Sequence, residues 1–435
     1  MDFGAWYSGA TWKDRSALLG RAALWTALVG LPVHGPLVPP PLAVGIFLLL
    51  PWIPSFHTNR DRGLLLIPIT FYVLHAIGMA YTTDRAFGLF DLEVKLSLML
   101  VPLVAAGLGR SDQDPLRTAM VAFSIGLCIA MIVGWHAAIQ CYLANGWREC
   151  FTQSYLSVYM HPSYLAWFTC WGLFYWGWAL INGSVRRGWP RIFVGLFALA
   201  LMVHVVMLVS KSGLIGLGLV VSILVVQAVR KLPRRVLRWV LLVLVLAITV
   251  PAVLLSRVFE LRIREAWGAV QLLQHDEDTL ITMDSGSSER LVAWLCSTEV
   301  LASSPWGVGT GDIKHALMAC YEAKGATAAH QRNLNSHCQP LQSGVALGWL
   351  GMLLVLAMMV VPFAFGAVRR NPYMATFALL FAVNGSVESV LEVQAGVVFY
   401  SLFTVLIIRG QPYRAGPSEP NTLVQHDPLQ PTPHR

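Results

Sequence analysis

Long apolar runs separated by short polar connections dominate the chain. They cover 17–33, 42–56, 64–80, 94–108, 119–138, 164–180, 192–209, 214–229 and 240–255, then, after a polar interval, 341–365, 374–390 and 396–408. With their ends extended to the ~20 residues that a bilayer demands, they predict about twelve helices. The expected fold is therefore all-α and polytopic. Transmembrane helices 1–9 and their short loops occupy 1–255, one large helical outer loop 256–340, and helices 10–12 residues 341–410; the Pro-, Gln- and Thr-rich tail 411–435 is expected to be disordered and cytoplasmic. Within the outer loop, Ile263, Trp267, Val270 and Leu273 recur at helical spacing with arginines between them, which predicts a helix over 260–274 lying flat on the bilayer surface. A second helix, RLVAWLCSTEVL, follows with Ser287 or Ser288 as N-cap, and the glycines of SPWGVGTGD end it in a tight bend.

Composition agrees with a membrane chain. The 435 residues are 56% hydrophobic and 12% charged, with a mean hydropathy of +0.60, and a soluble domain carries roughly twice that charge fraction. A net charge of +8 would suggest nucleic acid in a soluble protein. Here the basic residues cluster in alternate connections: Arg60 and Arg62; Arg110 and Arg117; Arg186, Arg187 and Arg191; Arg230, Lys231, Arg234, Arg235 and Arg238; Arg369 and Arg370. The other short connections offer only Arg85, Arg148 and Lys211. That bias sets orientation, placing both termini in the cytoplasm and 256–340 outside, and no nucleic-acid partner is inferred. Lys13 and Arg15 precede a first run with no small-residue cleavage site after it, so that run is an uncleaved anchor.

The polar chemistry gathers at the outer face. His337, in NLNSHCQ at 333–339, stands in water just before a membrane helix and can serve as a base near neutral pH. Arg290 falls in the first turn of its helix, where a fixed cation and free N–H donors together suit phosphate; the alternative is an arginine on a solvated face. Lys211, in VSKSGL, either partners an anion such as a diphosphate or ends its helix at headgroup level. His161, before PSYLAW, shapes the cavity, whereas His75 and His204 lie in apolar runs and are expected to satisfy core hydrogen bonds. Glu388 and Glu392 share one face if their helix continues, and could hold sugar hydroxyls or orient the histidine. Lys95 is a third candidate cation, or simply the partner of Asp91.

Other patterns carry less. HDED at 275–278 is either an acidic pair of metal-ligand character or a solvated loop, and no metal site is assigned. GVGTGD lacks the third glycine of a dinucleotide fingerprint and the GK[ST] ending of a P-loop. The seven cysteines show no zinc spacing. Cys141, Cys150, Cys296, Cys320 and Cys338 fall outside the cytoplasm, and Cys141 with Cys150 can pair across one loop or remain free thiols.

The order SKSG, then SSERLVAWLCSTEVLASSPWGVGTGD, then NSHCQPLQSGVALGWLGMLL resembles the O-antigen ligase and polymerase superfamily over 210–361. Compact length, a single dominant outer loop and no C-terminal soluble domain are most similar to the lipopolysaccharide O-antigen ligases, GT-C-like glycosyltransferases. The resemblance implies transfer of a glycan from undecaprenyl diphosphate to lipid A-core oligosaccharide at the periplasmic face of the bacterial inner membrane, without metal, ATP or cofactor. It places the family's essential arginine on Arg290, its essential histidine on His337 and its basic residue after the seventh helix on Lys211. Two positions depart from the pattern: Lys211 stands where the family often has Arg, losing a bidentate fork, and Cys338 where it often has Asn. Within the same enzyme class stand the O-antigen polymerase and the protein O-oligosaccharyltransferase. From another class, a polytopic transporter would need charged or broken helices near mid-membrane.

Overall fold

The structure, a computed structural model, describes residues 11–58, 61–108, 114–254, 256–275, 277–283 and 285–410. The expected tail 411–435 and Asp276 of the HDED stretch lie outside them. The described residues are all-helical. Five helical segments are long and apolar enough to cross a membrane: Gly35–Phe56, Pro115–Asn145, Trp189–Leu208, Lys211–Lys231 and Gln339–Val368. Shorter apolar helices span Arg62–Gly78, Pro372–Gly385 and Gln394–Arg409. The chain is a membrane protein with several spanning helices. The runs at 17–33, 164–180 and 240–255 fold as Trp12–Gly30, Pro162–Ile181 and Arg234–Leu254. The run at 94–108 is not one helix: Arg85–Lys95, Ser97–Leu103 and Ala105–Leu108 succeed one another, with Pro102 near the second break.

The centre of the bundle is the aromatic helix Pro162–Ile181, packed between Trp189–Leu208, Lys211–Lys231 and Pro372–Gly385. Proline at its first position suits a helix start, where the missing N–H has no partner to lose. Its Trp167 meets Phe399 edge-on at 4.7 Å between ring centroids, and Trp171 meets Phe377 likewise at 5.1 Å. Such pairs add to the burial of large rings. They tie this helix to the two helices that flank the 386–393 connection. His204 departs from the expectation of a satisfied core histidine, for neither ring nitrogen has a hydrogen-bond partner. His75 meets it through Nδ1 and the Phe71 carbonyl, 3.0 Å.

Residues 256–340 form a helical cap with a small core of its own, in which Val292, Ala293, Cys296, Leu317 and Tyr321 rest on Val345 and Ala346 of the long Gln339–Val368 helix. Disulfides join Cys296 to Cys320 and Cys141 to Cys150. The Ser256–His275 helix buries Ala269 beside Ser288–Ser303 and leaves Leu261, Ile263 and Trp267 exposed.

The glycine-rich stretch has a structural task. Gln339–Val368 breaks at Gly348, whose φ of 67° lies in the left-handed region. The break frees backbone groups that must be paired elsewhere. Val308 and Gly309 donate their N–H groups to the Val345 and Ala346 carbonyls, each at 2.9 Å, and Trp349 donates to the Pro305 carbonyl at 3.0 Å. Only glycine allows this approach, because a Cβ on Gly307 would lie 2.4 Å from the Ala346 oxygen. The Asp312 carboxylate then accepts from Thr83 N–H at 2.7 Å and Asp84 N–H at 2.8 Å, fastening the cap to the start of the Arg85–Lys95 helix.

Candidate active site

Three chain regions converge on one carboxylate. Glu388 is not on a helix: Pro372–Gly385 ends before it, and Gln394–Arg409 begins after it. The expected shared face with Glu392 is therefore absent, and the two carboxylates point to different partners. Glu388 Oε1 accepts from Arg290 Nη2 at 2.6 Å and from Ser163 Oγ at 3.3 Å, with His161 Nδ1 3.9 Å away. Its Oε2 meets His337 Nδ1 at 3.2 Å. A carboxylate can only accept, so Nδ1 of His337 donates, and the neutral tautomer compatible with this contact has its lone pair on Nε2. Burial alone would raise the Glu388 carboxyl, but the His337 hydrogen bond and the charges of Arg290 and His161 outweigh it and pull it down to about 2.

Each partner is placed by local backbone. Arg290 occupies the first turn of Ser288–Ser303, as expected. Ser287 holds the N-cap position, but the capping oxygen is Ser285 Oγ, which accepts from Ser288 N–H at 3.2 Å, and Ser287 instead binds Lys211. His337 has φ 43°, a left-handed turn held by its own N–H to Asn335 Oδ1 at 3.0 Å and by Ser336 N–H to Gln342 Oε1 at 3.0 Å. Trp294, one turn beyond Arg290, donates to the His337 carbonyl at 3.4 Å. His161 is the N-cap of Pro162–Ile181.

A cavity of about 310 Å³ opens beside this group, lined among others by His161, Ser163, Lys211, Ser287, Arg290 and Glu388. Lys211 Nζ also lies 3.8 Å from Glu265. Both cations thus have carboxylate neighbours, yet the Arg290 Nε is buried with no hydrogen-bond partner. The guanidinium as a whole is about a quarter exposed and lines the cavity, which suits an incoming anion.

Lys95 and Glu392 stand apart from the cavity lining. Lys95 is fully buried, bonded to Asp91 and, at 3.0 Å, to Glu392 Oε2. Asp91 was foreseeable from its spacing; Glu392 was not. Ser163 beside Glu388 and Gln339 beside the histidine give no periodic signal, being isolated polar residues, and Ser287 was expected only as an N-cap and not as the partner of Lys211. The side chains of His275, Glu277 and Asp278 lie outside what the structure describes.

The curated proteins contain no match to this chain. Residues 195–356, which include Lys211, Arg290 and His337 but neither His161 nor Glu388, match the family described as O-antigen ligase. Over that segment, rather more than a third of the chain, it is similar to the O-antigen ligase domain family, and that similarity implies a membrane glycosyltransferase-type enzyme.

Proposed function

We propose that the protein ligates O-antigen glycan from undecaprenyl diphosphate to the lipid A-core oligosaccharide, with His337 as base. The observation that carries this reading is the Glu388 carboxylate, which lines the cavity with Arg290 and bonds both Arg290 and, from behind the lining, His337. Nε2 of His337 takes the proton of the acceptor hydroxyl as its oxygen bonds to the anomeric carbon. The bond from that carbon to the diphosphate breaks, and its electron pair stays on the departing oxygen. Arg290 and Lys211 stabilise the charge that grows there. Attack from the opposite side inverts the anomeric configuration, and no covalent enzyme intermediate, metal or cofactor enters the scheme.

The same reading places about twelve spans in the bacterial inner membrane, both termini in the cytoplasm and the cavity on the periplasmic side. Two observations support it. Both disulfides lie toward the cavity end, which suits an oxidising compartment. The arginine clusters at 186–191, 230–238 and 369–370 lie at the opposite helix ends. In this arrangement Leu261, Ile263 and Trp267 meet the bilayer surface.

Purified protein with lipid-linked donor and lipid A-core should form ligated product in EDTA, and His337→Ala should abolish it while the protein stays folded. Full activity of that variant would remove His337 from the mechanism. Offering a second lipid-linked glycan or a peptide hydroxyl as acceptor separates ligase from polymerase and protein O-oligosaccharyltransferase. The break at Gly348 and the buried charges near Lys95 favour a transporter as the second reading; transport without glycan transfer in proteoliposomes would establish it.

A further inference from the structure

Glu388 sits on a connection, and a catalytic carboxylate on a connection needs outside support to hold its geometry within about half an ångström. The support comes from a residue two positions after His337. Gln339 is fully buried at the first turn of the Gln339–Val368 helix. Its Oε1 accepts from the Leu391 N–H at 2.6 Å. Its Nε2 donates to Glu392 Oε1 at 3.2 Å and to Ser343 Oγ at 3.1 Å. Both ends of the amide are therefore used, one on the backbone and one on a side chain of the same 386–393 connection. The far oxygen of Glu392 is in turn held by Lys95. One side chain thus joins the strained turn that carries His337 to the segment that carries Glu388.

We propose that Gln339 is a positioning residue that, anchored through Glu392 and Lys95, sets the hydrogen bond between Glu388 and His337. The proposal rests on the active-site reading above. Gln339 touches no substrate, and its loss lets the Glu388 connection drift relative to the imidazole. Misplacement by about an ångström costs up to ~100-fold in rate. The cations at the cavity are untouched, so donor binding persists.

The test is a double-mutant cycle on the full chain in detergent, with undecaprenyl diphosphate-linked glycan as donor and lipid A-core as acceptor. Gln339→Met lowers kcat about 10- to 100-fold and changes KM for the donor less than about threefold. Placed in a Glu388→Gln background, the same change adds less than about threefold, because the contact it protects is already lost. Losses that multiply in the double variant, a loss confined to KM, or full activity of Gln339→Met would each overturn the proposal. A wild-type rate in Glu388→Gln alone overturns the active-site reading first, so the two failures are told apart. Should Gln339→Met fail to fold by thermal melt, Glu392→Met enters the same cycle; it removes one end of the clamp and leaves Lys95 paired with Asp91.

Discussion

His337 and Glu388 lie 51 positions apart in the chain and meet at 3.2 Å through Nδ1 and Oε2. Between them runs the whole Gln339–Val368 helix, its break, and the Pro372–Gly385 helix back. The contact fixes the imidazole tautomer and leaves Nε2 for chemistry, and the same carboxylate fixes Arg290. A histidine oriented in this way needs no polar neighbour in sequence, which explains how Cys338 can follow it.

Glu388→Gln removes the negative charge while keeping the size of the side chain. The ion pair with Arg290 is lost, and the imidazolium formed during proton transfer loses its counter-charge. The expected result is a fall in kcat of about 100-fold in single-turnover ligation, with Glu388→Asp intermediate. Equal rates for Glu388→Gln and wild type would show that the carboxylate only holds the fold.

The depressed pKa of Glu388 has a direction that can be checked. Its folded value, about 2, lies below the ordinary carboxylate value of ~4.3. Its contribution to stability is therefore fully present above the ordinary value and is lost as pH falls toward 2. Infrared difference spectra between wild type and Glu388→Gln should keep the carboxylate band at about pH 3.5. A protonated carboxyl band already present near pH 4.5 would contradict the charge arrangement around it.

How far the chain could be read in advance follows from what periodicity can and cannot register. Apolar runs mark helices wherever a side chain faces lipid or core, so 341–365 reappears within Gln339–Val368, and 192–209 as Trp189–Leu208 with Val209 just past its end. The run at 374–390 overshoots because Val387 and Val390 are apolar although they sit on a connection, and burial by protein gives the same signature as burial in a helix. Arg290, Lys211 and His337 were visible from the order of motifs. Glu388 stood among the carboxylates that could orient the histidine, but its ion pair with Arg290 did not show, since a contact across 98 positions leaves no trace in spacing. Likewise the glycines of GVGTGD announced a turn, but their partner, the break at Gly348, could be found only in three dimensions.

That break predicts unequal glycine substitutions. A Cβ on Gly348 would stand 2.1 Å from the Pro305 carbonyl oxygen, at a φ of 67° that already disfavours other residues. A Cβ on Gly195, within the Trp189–Leu208 helix, meets nothing within 4 Å. Gly348→Ala should therefore cost about 1–3 kcal/mol and lower the melting temperature, while Gly195→Ala leaves it unchanged or slightly raised. Equal melts for the two variants in the same detergent would refute the role given to the 305–309 segment.

The Cys296–Cys320 bridge predicts a reductant-sensitive cap. Cys296 lies on the helix that carries Arg290, and Cys320 on Ile313–Ala323, so the bond joins the two central helices of the cap core. A cross-link over 24 positions restricts the unfolded chain by about 3 kcal/mol in the loop-entropy account. Most of the membrane helices pack in another cluster, which the cap core meets through Val345, Ala346 and Leu347 of the long helix. Reduction, or Cys296→Ser with Cys320→Ser, should speed proteolysis within 256–340 and lower ligation while the transmembrane part stays protected. Because Arg290 stands on the loosened helix, the loss of activity should fall on both kcat and donor KM, whereas Gln339→Met acts on kcat. Uniform proteolysis of cap and bundle together after reduction would show that the two cores unfold as one.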